Sequence, residues 1–294
     1  METKVIDFFK YRKISFLFSL TLILLTCLLI FFKGLNLGID FKGGFNVEVR
    51  SELDNSELSN IYNNIDSSRE VVIKKELSSD VYSIRIESGE NDKTLLDEVN
   101  KITLKYQNIE LLMSEYIEPT FSSDLIKNSI YALFSSILII AFYIWIRFDW
   151  QFSLSGIFAL LHDVIISIGF MTLFNIEFNL TMIASILLIA GYSINDTIVL
   201  FDRLRSISSE DNIKINLSEM INNSVKLNLR RTILTSFTTI LALICLVILA
   251  PVNLTDMPIV FIFGVIIGTY SSIFIALPLV SFFNYEAVLK SRDS

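Results

Sequence analysis

The stretch Ile189-Ala-Gly-Tyr-Ser-Ile-Asn-Asp-Thr-Ile-Val-Leu-Phe-Asp-Arg-Leu-Arg205 decides how this chain folds. It closes an apolar segment, residues 179–201, that is long enough to cross a bilayer as a helix. A carboxylate, Asp196, stands inside this segment between Asn195 and Thr197. Because an ionisable side chain is costly within a membrane, it marks ion or proton handling by default. The stretch therefore predicts both a membrane span and a functional site.

Composition places the chain among polytopic α-helical membrane proteins. Of its 294 residues 52% are hydrophobic, and the mean hydropathy is +0.58. That is too apolar for a soluble domain. The sequence contains no zinc-site, Walker or dinucleotide-binding pattern, so it implies neither a metal nor a cofactor, and no enzyme activity. The formal net charge is −7, and its acidic excess lies in residues 34–128, which argues against nucleic acid as a ligand.

Six apolar runs predict six transmembrane helices. The first lies within residues 1–33, a cytoplasmic N-terminus followed by a retained helix. A membrane domain of five further helices occupies residues 126–294, with the helices at about 126–146, 152–174, 179–201, 232–250 and 257–283. Basic side chains flank the predicted cytoplasmic ends, and the two short outer loops hold none. By the positive-inside rule, both termini are expected in the cytoplasm.

Residues 34–125 lack long apolar runs and predict a small extracytoplasmic α+β domain between the first two helices. Alternation of apolar and polar side chains indicates strands at residues 45–50, 70–76, 81–87 and 109–116. Amphipathic patterns indicate helices at residues 56–65 and 92–106. The order β-α-β-β-α-β predicts a ferredoxin-like sandwich. A fold of this type implies no activity by itself.

Other polar groups in the predicted spans are candidates for a proton relay with Asp196. Asp163 adjoins the only histidine, His162, in the third helix, and an imidazole that titrates near neutrality suits proton transfer. Arg230 and Arg231 precede the fifth helix, and either could act as the counter-ion. The residues alone leave open which of the two arginines is the counter-charge. The supporting polar groups are Ser193, Asn195, Thr197, Thr235, Ser236 and Thr239. For each hydroxyl alone, a hydrogen bond between helices is the simpler interpretation.

Six phrases, spread over the whole chain, resemble the SecF family of protein-export membrane subunits in that family's order. They are Leu37-Gly-Ile-Asp-Phe-Lys-Gly-Gly44, Arg147-Phe-Asp-Trp150, His162-Asp-Val164, Gly191-Tyr-Ser-Ile-Asn-Asp-Thr-Ile-Val199, Phe201-Asp-Arg203 and Arg231-Thr-Ile-Leu-Thr-Ser236. The phrase around Asp196 is the most specific. The resemblance implies a membrane core related to the resistance–nodulation–division transporters, in which SecD and SecF supply pseudo-symmetric halves.

What the resemblance implies is an accessory subunit of the Sec protein-export machinery in the bacterial cytoplasmic (inner) membrane. Such a subunit would act with SecD and use the proton-motive force in late-stage preprotein translocation. The implied partners are SecD, the SecYEG translocon and the translocating preprotein, with YajC, YidC and membrane lipid as further candidates. Whether the coupling ion is H⁺ or Na⁺ is left open by the sequence.

Three other functions compete with this one. A small-molecule exporter of the resistance–nodulation–division type would need much larger outer domains than residues 34–125. A non-conducting scaffold of the translocon would use the buried polar groups only for packing. An intramembrane aspartyl protease would need Asp163 and Asp196 to share a proton a few ångströms apart, and the chain contains no GxGD motif.

Overall fold

Six helices in the described part of the chain are long and apolar enough to cross a membrane. The computed structural model describes residues 7–63, 71–76, 79–87, 101, 105, 106, 108–208, 216–251 and 254–283. In chain order the elements are a 3-10 turn (Phe9–Tyr11), α1 (Arg12–Lys33), α2 (Ile39–Lys42), β1 (Gly44–Ser51), α3 (Asn55–Asn63), β2 (Val71–Lys75), β3 (Val81–Glu87), β4 (Ile109–Ile117), α4 (Pro119–Arg147), α5 (Trp150–Leu173), α6 (Leu180–Ser208), α7 (Leu217–Leu249), α8 (Asp256–Ser271), a π-helical turn (Ser272–Ala276) and α9 (Leu277–Phe282). The predicted six-helix architecture is confirmed, with α8, the π-helical turn and α9 forming the sixth span.

An antiparallel sheet of four strands, in the order β2-β3-β1-β4, forms the domain between α1 and α4. The central strand β1 buries Phe45, Val47 and Val49 completely, and α3 packs Leu58 and Tyr62 into the same core. The sheet confirms the predicted α+β domain at this place in the chain. The predicted second helix of the domain, residues 92–106, falls almost entirely outside the described residues.

The Gly43-Gly44 pair starts β1 in a backbone conformation that favours glycine. The φ angles are 82° and 154°, a region that residues with a Cβ rarely enter. A Cβ on Gly44 would lie 2.4 Å from the carbonyl oxygen of Ile86. The neighbouring strand β3 therefore excludes a side chain at this position.

Helices α5, α6 and α8 form the centre of the bundle, whereas α1, α4 and α7 expose most of their length. Gly264 and Gly268 of α8, one turn apart, lie against Ile189 and Ser193 of α6. A Cβ on either glycine would come within 2.3 Å and 2.9 Å of these side chains, respectively. Small residues at this spacing let two membrane helices approach closely. The close crossing brings the polar side chains of α6 and α8 within hydrogen-bond distance.

Two helices extend beyond the predicted spans into residues 202–228, which lie between the fourth and fifth predicted helices. Helix α6 ends at Ser208 rather than residue 201, and α7 begins at Leu217 rather than residue 232. The early part of α7 has an apolar face that joins the core of the bundle, consisting of Leu217, Met220, Ile221 and Val225. A hydropathy criterion misses such an amphipathic segment because its mean polarity is high while one face is apolar.

Candidate functional site

A carboxylate on α5 joins three helices. Asp163 is completely buried. Its Oδ2 atom accepts hydrogen bonds from Ser193 Oγ of α6, at 2.5 Å, and from Ser271 Oγ of α8, at 2.6 Å. Its Oδ1 atom lies 2.9 Å from Nδ1 of His162. We call these four residues the Asp163 cluster. Its bonds tie α5, α6 and α8 together at one level of the bundle.

His162 is bonded to its own sequence neighbour. Adjacent residues on a helix point about 100° apart, so the two side chains do not face one partner together. The ring instead places Nδ1 against Asp163, and its other nitrogen, Nε2, is buried with no hydrogen-bond partner among the described residues. The structure thus joins His162 and Asp163 through a direct bond that the sequence did not indicate.

A second layer of hydroxyl groups lies on the same helices. Thr197 Oγ1 of α6 is 2.9 Å from Ser272 Oγ, and it also donates to the Ser193 carbonyl oxygen at 3.2 Å. Ser272 Oγ donates to the Gly268 carbonyl oxygen at 2.8 Å. The π-helical turn begins at this residue. Ser271 and Ser272 were not among the polar groups predicted from the sequence, so their part in the polar network is a finding of the structure.

Asp196 lies one helical turn after Ser193 and has a different environment. Only 5% of the residue is exposed, and its Oδ2 atom has no hydrogen-bond partner within the described ranges. Arg231 of α7 is close enough for the two charges to interact. A buried polar oxygen without a partner loses the free energy of solvation. The carboxylate of Asp196 is therefore less well satisfied than that of Asp163, and it is the one within electrostatic range of an arginine.

The hydroxyl groups predicted on α7 divide into two kinds. Ser236 is buried and bridges helices, since its Oγ lies 2.7 Å from Thr269 Oγ1 of α8 and accepts a 3.5 Å hydrogen bond from the Tyr192 hydroxyl of α6. Thr235 and Thr239 donate at 2.9 Å to carbonyl oxygens of their own helix. Ser236 is therefore the predicted α7 hydroxyl that the structure connects to α6, which carries Asp196.

Three predicted residues lie on the exterior of the bundle. Arg230 and Arg231 have exposed side chains on α7, and Asn195 is exposed on α6. Asn195 belongs to a stripe of exposed residues along α6, which we call the α6 stripe, made up of Ala184, Leu188, Gly191, Asn195 and Asp202. A Cβ on Gly191 would meet nothing within 4 Å. The structure thus places Asn195 outside the Asp163 cluster, on a face open to a neighbour.

Two family models match the sequence that carries these residues. The model described as "Protein export membrane protein SecD/SecF, C-terminal" matches residues 98–286, which include Asp163 and Asp196. The model described as "SecD/SecF GG Motif" matches residues 28–52, which include Gly43 and Gly44.

Similar proteins span nearly the whole chain. "Protein translocase subunit SecF" of Rickettsia bellii (strain OSU 85-389) is 37% identical over 283 residues, covering 94% of this chain and 93% of the relative. The protein of the same name from Rickettsia prowazekii (strain Madrid E) is 35% identical over 283 residues, covering 94% and 90%. The crystal structure of SecDF, a translocon-associated membrane protein from Thermus thermophilus, superposes with a TM-score of 0.83 at 30% identity. It covers 95% of this chain and 38% of that one, so the chain spans about two fifths of the SecDF polypeptide.

Proposed function

Because the chain belongs to the SecF family of protein-export membrane proteins, we propose that it uses the proton-motive force, together with SecD, in late-stage preprotein translocation. It is a multi-pass membrane protein and an accessory subunit of the Sec export machinery that associates with SecD and the translocon. The observation that carries the proposal is Asp196, a buried carboxylate within electrostatic range of Arg231, with one oxygen that has no hydrogen-bond partner in the part of the chain that the structure describes.

The pair Asp196 and Arg231 provides two states for a proton cycle. Burial disfavours an ionised carboxylate, and a nearby cation favours it. A movement of α6 against α7 that separates the two side chains therefore favours uptake of a proton by Asp196. The opposite movement favours its release. Such a movement converts a proton gradient into displacement of a helix.

Asp163 is proposed to hold the structure rather than to carry the proton. Its two oxygens already face His162, Ser193 and Ser271, and none of these three partners bears a permanent charge that a helix movement could bring closer. His162 belongs to the same network. Of the relay candidates predicted from the sequence, Asp196 and Arg231 are thus proposed as the working pair.

Arg231→Ala is expected to remove most of the stimulation of translocation by a proton gradient, and Arg230→Ala much less. Each substitution removes one exposed cation from the same turn of α7. The two variants therefore differ mainly in how closely the lost side chain could approach Asp196. Arg231→Lys should retain part of the stimulation, since it keeps the charge without the planar fork. The measurement is preprotein translocation into vesicles containing the subunit and SecD, with and without an imposed gradient. Equal effects of the two alanine substitutions would contradict the assignment.

The α6 stripe is the proposed contact with SecD. The amide of Asn195 needs a protein neighbour rather than lipid at membrane depth. Cysteines placed at Leu188 and Asn195 are expected to crosslink to SecD, whereas a cysteine at Ile186, which is fully buried, is not. Crosslinks that reach only lipid would contradict this contact. YajC, YidC, membrane lipid and the preprotein are further proposed partners, and the same experiment would identify any of them at this face.

The protein is proposed to lie in the bacterial inner membrane with both termini on the cytoplasmic side. Asn222 of α7 donates to Asp7 Oδ1 at 2.8 Å, and its Oδ1 accepts the backbone N–H of Phe9 at 3.0 Å, so the N-terminal segment and the start of α7 share one side of the bundle. In a background without Cys27 and Cys245, Glu110→Cys is expected to react with an impermeant thiol reagent on spheroplasts. Lys226→Cys should react only after lysis. The reverse pattern would overturn the orientation.

A further inference from the structure

Four charged side chains connect the outer domain to the outer ends of α6 and α8. Arg85 of β3 forms an ion pair with Glu177, which lies in the loop before α6. Lys74 of β2 lies 2.5 Å from Asp256, the first residue of α8, and 3.8 Å from Glu177. We call these four residues the ionic joint. The side chains of Arg85 and Glu177 are only 10% and 5% exposed, so this pair is shielded from water.

Backbone contacts reinforce the joint beside Glu177. The N–H of Gly38 donates to the Phe178 carbonyl oxygen at 2.9 Å, and the N–H of Phe178 donates to the Asn36 carbonyl oxygen at 2.6 Å. Asp40 Oδ2 accepts the N–H of Leu180, the first residue of α6, at 3.0 Å. The segment that leads from α1 into the outer domain is thus bonded directly to the beginning of α6.

The helices held by the joint are those that carry the polar network inside the bundle. Helix α6 bears Ser193 and Asp196, and α8 bears Ser271. Asp196 is sixteen residues from Leu180, or roughly 24 Å along a continuous helix at 1.5 Å per residue. A rigid helix carries a displacement from one end to the other, and at the outer end Glu177 pairs with Arg85 while Asp40, in the segment leading to the outer domain, accepts the N–H of Leu180.

We propose that the ionic joint is the connection through which movement of α6 and α8 reaches the outer domain, and that it stays closed during the transport cycle. Removing one partner of a buried ion pair leaves an uncompensated charge, which is strongly unfavourable, so the joint does not open easily. The outer domain then moves as one body with the outer ends of these helices. This inference rests on the proposed proton-driven function.

Glu177→Gln tests the joint because it leaves the Arg85 guanidinium buried without its counter-charge. The substitution is expected to reduce gradient-stimulated translocation to the level seen without a gradient, while gradient-free translocation and SecD binding stay unchanged. The matched control is Asp80→Asn, which breaks an exposed ion pair with Lys75 inside the sheet and should change neither. An undiminished gradient response of Glu177→Gln would overturn the inference.

A disulfide beside the joint, between positions 38 and 179, can reversibly restore the connection between the outer domain and α6. A Cβ on Gly38 would lie 3.2 Å from the Asn179 Cβ, within a few tenths of an ångström of disulfide geometry. With Cys27 and Cys245 replaced by alanine, Gly38→Cys with Asn179→Cys should be active when oxidised. In the Glu177→Gln background oxidation should restore the gradient response, and a reductant should remove it again. If oxidation abolishes transport in the protein with Glu177 intact, the joint must open, and the inference is wrong.

Spin labels supply a readout that does not depend on proton coupling. With labels at Glu110 of β4 and Phe174 beyond α5, both exposed, Glu177→Gln is expected to broaden the distance distribution, and Asp80→Asn to leave it narrow. An unchanged distance distribution in Glu177→Gln would contradict the inference that the ionic joint holds the outer domain to the helices.

Asp196→Asn in the translocation assay distinguishes failure of the proposed function from failure of the inference about the joint. If Asp196→Asn retains the gradient response, the proposed function fails. If it loses the response while Glu177→Gln keeps it, only the joint fails.

Discussion

Replacing Asp196 with asparagine is expected to abolish the stimulation of preprotein translocation by a proton gradient while the protein remains folded and bound to SecD. Asparagine has nearly the shape of aspartate but cannot bind and release a proton in the physiological range. Oδ2 of Asp196 has no hydrogen-bond partner among the described residues, so the amide costs no bond there. The measurement is the initial rate of translocation into vesicles that contain the subunit and SecD, with and without an imposed gradient.

Two controls separate proton coupling from folding. The melting temperature of Asp196→Asn in detergent should equal or slightly exceed that of the unmodified protein, since a buried ionisable group has been replaced by a neutral one. Asp124→Asn changes an exposed carboxylate on α4, outside the α6 stripe and 3.6 Å from Lys127, and should keep the gradient response. If Asp196→Asn responds to the gradient as well as the unmodified protein, the carboxylate is structural and the proposed mechanism is wrong.

The architecture could be predicted because its signals are local. An apolar run of about twenty residues indicates a membrane span whatever its neighbours are, and alternation indicates a strand of the outer sheet. Asp163 and Asp196 stood out for the same reason, as carboxylates in apolar segments. The early start of α7 at Leu217 was missed because its apolar face is mixed with polar residues in sequence and becomes visible only on a helix.

The composition of the polar network depends on contacts between distant residues. Ser271 donates to Asp163 across 108 positions of sequence, and serine pairs in membrane helices often serve packing alone. Asn195 adjoins Asp196 in sequence, yet a helical step of about 100° carries it to the exposed face. The ion pair of Arg85 and Glu177 joins two parts of the chain, and in the sequence each of these parts, taken alone, has the pattern of a solvent-exposed surface. None of these placements could be read from local patterns.

Asp163 is the residue whose loss is expected to damage the fold most. Asp163→Leu keeps a similar volume but removes the acceptor of the Ser193 and Ser271 hydroxyls and of the His162 ring. Each buried donor left without a partner costs about 1–3 kcal/mol. Ser271 retains the Gly268 carbonyl oxygen at 3.1 Å as an alternative acceptor, so we expect a total loss of about 3 kcal/mol in the free energy of unfolding.

In a protein of this size that loss should lower the melting temperature by roughly 5 °C, measured by thermal unfolding in mild detergent. The matched variant is Asp163→Asn, whose Oδ1 still accepts from both serine hydroxyls and whose amide can donate to Nδ1 of the other His162 tautomer. This variant should melt close to the unmodified protein and should retain most of the gradient response. Equal stability of the leucine and asparagine variants would show that the hydrogen bonds of Asp163 do not hold the three helices together. Loss of the gradient response in a stable Asp163→Asn would assign the proton to this carboxylate as well.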